Sequence, residues 1–108
     1  MEDENELQVV AFEIIVHSGD ARNLIHQALD LMKGGEFVQA RQQLDEANQN
    51  LLEAHKSQTN LLKDYACGKV IPMEIIMVHA QDHLMSTMLL HELALEFLVL
   101  HQKMANKE

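Results

Sequence analysis

"IIMVHAQDHLMSTMLLHELALEFLVL", residues 75–100, decides the fold of this chain. Only Asp82, Glu92 and Glu96 in it are fully charged at pH 7, and neither glycine nor proline interrupts it. Apolar residues recur on every side of the helix it would form, not along one stripe. A helix apolar around its whole circumference is buried on more than one face. The rest of the chain must therefore cover part of this segment, and something further must cover the remainder.

Working outward, Gly34-Gly35, Gly68 and Pro72 punctuate the chain into three long segments, each predicted to be a helix. In the first, Leu7, Val10, Ala11, Ile14, Ala21, Leu24, Ile25, Ala28 and Met32 recur at helical spacing, with Ser18-Gly19 interrupting the stripe and Gly19 expected to bend it. The second is the most regular. Phe37, Ala40, Leu44, Ala47, Leu51, Ala54, Gln58 and Leu61 step by three and four, a heptad seam whose one polar member is Gln58. "KGGE", residues 33–36, is a short connection that folds the second helix back on the first. "KDYACGKVIPME", residues 63–74, is the second connection, with Pro72 at the start of a third helix running from about Met73 to about Lys103. The expectation is an all-α fold: one domain over residues 1–108, an antiparallel three-helix bundle. Three helices of this length cannot cover every face of one of their number. Other copies of the same chain in a closed symmetric oligomer would do so, and a groove for a different partner is the alternative.

Composition narrows the function. Apolar residues make up 47% and charged residues 23%, a globular balance without linker tracts. A net charge of −9, from 17 acidic and 8 basic residues with no basic cluster, would repel a phosphate backbone, so nucleic acid is not an expected partner. The opening "MEDENELQ" is acidic where a secretory signal is basic and then apolar, and "HAQDH" and "HE" interrupt the apolar run of the third segment. A cytoplasmic location without membrane insertion is expected. The lone Cys67 cannot form an internal disulfide and is expected as a free thiol.

Within the third segment, "VHAQDHLM" places His79, Asp82 and His83 together. At 100° per residue Asp82 lies about 60° to one side of His79 and His83 about 40° to the other. Asp82 also continues the apolar spacing Ile75, Val78, Met85, Leu89, so its carboxylate needs a cation, a proton or a polar partner. A zinc hydrolase motif would need glutamate directly after the first histidine, where Ala80 stands. The histidines are then either satisfied interface residues or a poised nucleophile with its neighbour, and spacing does not choose between these. The remaining histidines, His17, His26, His55, His91 and His101, are scattered over three helices and are expected at surfaces and boundaries, with His55 near an inter-helix contact. The seven methionines are expected to fill core gaps, and Lys69 could meet a partner.

Three stretches, "VHAQDHLM" followed by "STMLLHEL" (78–93), "SGDAR" (18–22) and "EAHKSQT" (53–59), resemble the lactose/cellobiose-type enzyme IIA family of the bacterial phosphotransferase system. The resemblance spans nearly the whole chain. It implies a homotrimer, a nine-helix bundle of three-helix subunits. It implies a phosphoryl carrier that accepts phosphate from the phosphocarrier protein HPr on His79, the histidine opening H-[AG]-Q-D-H, and passes it to the cysteine of a cognate enzyme IIB. Gln81 and His83 are expected to stabilise the phosphoryl group. Asp82 is expected near the trimer axis as a metal ligand, with one structural Mg²⁺ shared by three copies. "VHAQDH" in place of "MHGQDH" leans toward the cellobiose/chitobiose branch over the lactose branch. Cys67 as the phospho-acceptor of a IIB is set aside, since no strand precedes it. The rival reading is a non-enzymatic helical adaptor or metal-binding oligomerisation module.

Overall fold

The structure, a computed structural model, describes residues 4–107. Three long helices make it up: α1 (Glu4–Lys33), α2 (Phe37–Ala66) and α3 (Ile75–Ala105). They lie side by side in a rod of about 60 × 21 × 19 Å. The three-helix expectation holds, and the boundaries follow from the chemistry of the helix ends.

α1 and α2 close in the same way. Gly35, at φ +77°, takes the left-handed conformation, and the Glu36 N–H then donates to the Leu31 carbonyl at 2.9 Å. Gly68, at φ +95°, does the same for α2, where the Lys69 N–H reaches the Asp64 carbonyl at 3.0 Å. Both ends thus satisfy carbonyls that a helix terminus leaves open, and glycine is the residue that pays no Cβ penalty there.

α3 begins later than Pro72 suggests. Residues 69–74 are not helical, Glu74 is extended at ψ 156° as the N-cap, and the helix runs to Ala105 instead of stopping near Lys103. The extended strap lets Ile71 and Met73 line a cavity against Leu61 and Tyr65, a placement that an earlier helical turn would have changed. α1 runs unbroken through Ser18-Gly19. Ser18 takes the seam position between Ile14 and Ala21, where it is fully buried, so a small side chain continues the stripe without a break.

The core is a single cluster drawn from all three helices. α2 contributes Ala40, Leu44, Ala47, Leu51, Ala54 and Leu61, the predicted seam except for Phe37 and Gln58, which are half-buried. The small alanines let the helix axes approach, and the leucines interdigitate between them. α3 contributes Met77, Ala80, Leu84, Thr87, Ala94 and Leu98.

Among the described residues, nothing closes over the opposite side of α3. Ile75, Val78, Met85, Leu89, Leu93 and Phe97 all stand about half-exposed or more, and Val9, Phe12 and Val16 of α1 do likewise. By length and composition alone α3 could cross a bilayer, although only a minor share of it is buried within the chain. Asp82 on that same uncovered face, with Glu92 and Glu96 further along, suits a water-bounded protein interface better than lipid.

Burial sets the energetic order of substitutions. Leu44→Ala, at a fully buried site, should destabilise the fold by about 2–5 kcal/mol, whereas Leu52→Ala on the exposed side of the same helix should change it by less than about 1 kcal/mol. Urea denaturation at one fixed protein concentration measures both; equal losses would mean that α2 buries a different face.

Candidate functional site

The first turns of α3 set the site. Helical side chains lean toward the N-terminus, so His79, in the second turn, is carried over the exposed start of the helix. It is solvent-exposed, as is Asp82, while His83 is half-buried. The structure brings the two imidazoles together: their ring centroids lie 5.9 Å apart with planes at 78°, an edge-to-face contact.

His83 sits one turn before Thr87 on α3. The Thr87 hydroxyl, fully buried, donates to the His83 carbonyl oxygen at 2.7 Å. The Nδ1 of His83 is buried with no hydrogen-bond partner among the described residues. The neutral tautomer that leaves no buried N–H unpaired carries its proton on Nε2, the ring nitrogen left for solvent or a ligand. An accessible imidazole beside a ring that offers an N–H can act as a nucleophile toward an electrophilic phosphorus, with a donor for the developing charge.

Gln81 is not part of that pair. It lies about 160° around the helix from His79, and its amide is turned into the groove between α2 and α3. There the Gln58 Nε2–H donates to the Gln81 Oε1, and the Gln81 Nε2–H points to the Met77 sulfur at 3.5 Å. Within one chain Gln81 therefore does not face the ring of His79. A side chain at i+2 on a helix faces away from residue i, and here a partner on α2 holds it. The sequence marks Gln58 as the polar exception in the α2 seam without revealing its partner. The available signal was a second amide, Gln81, on the helix facing it.

Among the described residues no group of three or more His, Cys, Asp or Glu side chains could hold a metal ion. Asp82 offers a single exposed carboxylate, fewer donors than a divalent cation needs. The other histidines include struts. His91 donates from Nε2 to the Leu44 carbonyl at 2.9 Å, and His17 Nδ1 lies 3.5 Å from the Asn50 Oδ1. His55 is exposed and lines a groove between α2 and α3 with His91 and Glu92. Cys67 is an exposed free thiol, and Lys69 pairs with Asp64 at 3.6 Å, so neither adds to the histidine pair.

Comparison with known proteins agrees with this geometry. The family described as "PTS system, Lactose/Cellobiose specific IIA subunit" matches residues 9–102. The chain is 44% identical over 99 residues to the lactose-specific EIIA component of Staphylococcus epidermidis, covering 92% of this chain and 95% of that protein. Its fold is similar to the crystal structure of PtcA from S. mutans, with a TM-score of 0.92 and 54% identity over 94% of this chain and 99% of the other. It is also similar to the IIA(Chitobiose) subunit in the solution structure of the Escherichia coli IIA(Chitobiose)–HPr complex, with a TM-score of 0.77 and 36% identity over 97% and 99% of the two chains. The paired imidazoles, the three-helix bundle and these matches together assign the chain to the lactose/cellobiose-specific enzyme IIA family: it is a phosphotransferase-system component that carries a phosphoryl group toward a sugar-specific enzyme IIB.

Proposed function

We propose that His79 is the phosphoryl acceptor and that the donor is phospho-HPr. The observation that carries this reading is the exposed His79 ring in edge-to-face contact with His83, whose inward nitrogen is sealed and whose outward nitrogen is free. A lone pair of the neutral His79 imidazole attacks phosphorus. The new N–P bond forms as the N–P bond to the donor histidine breaks, and its electron pair stays with the donor ring. In the second step a thiolate of enzyme IIB attacks the same phosphorus, an S–P bond forms, and the His79 ring recovers its lone pair. Such a loose transition state asks for alignment and for relief of charge on the equatorial oxygens, and the Nε2–H of His83 is placed to supply part of that relief. The choice of HPr is supported by the relative solved in complex with HPr.

The working unit is a homotrimer, a nine-helix bundle, in which the uncovered face of α3 meets its counterparts. The half-exposed Val78, Met85, Leu89 and Phe97 along one helix support it, because an apolar stripe of that length is not left to water. Asp82 lies in line with that stripe. Among the described residues one chain brings too few donors together for a cation, but three copies would bring three carboxylates to a common axis, a set of hard oxygen ligands suited to one shared Mg²⁺. Bound there, the ion would neutralise the converging charges and serve assembly. The sugar is a disaccharide. Ala80 in "VHAQDH" supports the cellobiose/chitobiose branch, and the lactose branch is the second reading, supported by the lactose-specific relative. A panel of enzyme IIB proteins from the two branches, each tested for phosphate uptake from this chain, decides between them.

Incubation with enzyme I, HPr and phosphoenolpyruvate should add one phosphoryl group to the wild-type chain and none to His79→Gln, with an unchanged oligomer by light scattering. Acid-labile label retained by His79→Gln would refute the assignment. Asp82→Leu, which continues the apolar stripe, should still form trimers but no longer bind Mg²⁺ by calorimetry. If that variant falls to monomers, the carboxylate holds the subunits together by some contact other than a shared ion.

A further inference from the structure

The amide pair on the other flank of α3 lies away from His79 and His83 of its own chain and joins two of the stretches that carry the family resemblance. Gln58 stands in "EAHKSQT" on α2 and Gln81 in "VHAQDH" on α3. One Gln58 N–H goes to the Gln81 Oε1 and the other points to the Met85 sulfur at 3.5 Å, while the Gln81 N–H points to the Met77 sulfur. These bonds lie in an otherwise apolar groove beside a cavity of about 520 Å³, which runs under the strap preceding α3.

Apolar packing alone leaves this end of α3 poorly fixed. Its fully buried contacts here are Met77, a flexible side chain that repacks readily, and Ala80, which offers no ridge to lock against a neighbour, with Ile76 half-buried beside them and the Gln8 amide of α1 donating to the Glu74 carboxylate at 3.4 Å. A cavity flanks the first turn where further side chains would otherwise hold it. A hydrogen bond, unlike a methionine contact, has a direction, and burying two amides in an apolar groove is unfavourable unless they pair.

Resting on the reading of His79 as the acceptor, we propose that Gln58 is a positioning residue for phosphoryl transfer: by gripping Gln81 from α2 it fixes the rotation of α3 about its own axis and so the direction in which His79 points. The lever is direct, since Gln81 and His79 lie on nearly opposite sides of the same turns. A rotation of about 10° moves a ring about 6 Å from the helix axis by about 1 Å, and a misplacement of about that size can slow a group transfer by about 10²-fold.

The test is a double-mutant cycle on the full-length chain, with phospho-HPr as donor. Gln58→Met keeps the side-chain length and removes both donors. It should lower kcat by about tenfold with KM within about twofold of wild type; the Gln58→Met, Gln81→Met double variant, which leaves neither amide unpaired, should keep that kcat loss with a thermal midpoint at or above that of wild type. In a Gln81→Met background the same change should cause no further loss, because Gln58 acts only through Gln81. Restoring a donor with Gln58→Asn, one carbon shorter, should recover part of kcat. Unchanged kcat in Gln58→Met overturns the proposal. So do a rise in KM at constant kcat, a double variant whose kcat loss comes with a fall in thermal midpoint, and losses in the two variants that simply multiply. The parent reading fails separately: His79→Gln that still accepts phosphate would sink it whatever Gln58 does, whereas a wild-type chain labelled on His79 with an indifferent Gln58 sinks the positioning role alone.

Discussion

Helix α3 carries apolar side chains around its whole circumference, and α1 and α2 can cover only part of it. One side holds Met77, Ala80, Leu84 and Leu98 in the core, while Val78, Met85, Leu89 and Phe97 on the other remain about half-exposed. The rest of the molecule is arranged around that surplus. Leucine and alanine in the α2 seam fit α2 closely to its neighbours, the two glycine turns fold the helices back at the required lengths, and the charged residues stay away from the core. The exposed apolar stripe is too long to be an accident of composition, and Asp82 is the one acidic residue in its N-terminal half.

The same helix carries the proposed acceptor on its shoulder, between the core side and the open apolar side. Placing His79 there gives an imidazole that is reachable by partners and yet flanked by a side chain with limited freedom. His83 has that limited freedom because it is half-buried, with one ring nitrogen sealed from water. A carrier that must accept phosphate from one protein and yield it to another needs an exposed acceptor whose surroundings do not bind the phosphoryl group too tightly. A ridge with one neighbouring ring suits that better than a deep pocket.

Polar groups within the apolar groove do a different job. Gln58 and Gln81 pair across α2 and α3, with methionine sulfurs as the weak acceptors for their remaining protons. His91 reaches from α3 to a carbonyl of α2 further along the same groove. Both contacts are directional links between two helices that otherwise leave cavities between them, which is where directionality has most to add.

The sequence by itself determined the helix count, the α2 seam and the three punctuation sites, because 3.6-residue periodicity and left-handed glycine turns are local properties. It also brought His79, Asp82 and His83 onto one face, since spacing along a helix is geometry. Through three quoted stretches it further pointed to the family. Only the tertiary structure decided where α3 starts, because the strap through Pro72 is held by Ile71 packed against the core and not by its own propensity. Only the tertiary structure turned Gln81 away to Gln58, gave Ser18 a seam position and made His91 a strut, because each depends on which side chain of a distant helix lies opposite, and no local rule carries that information.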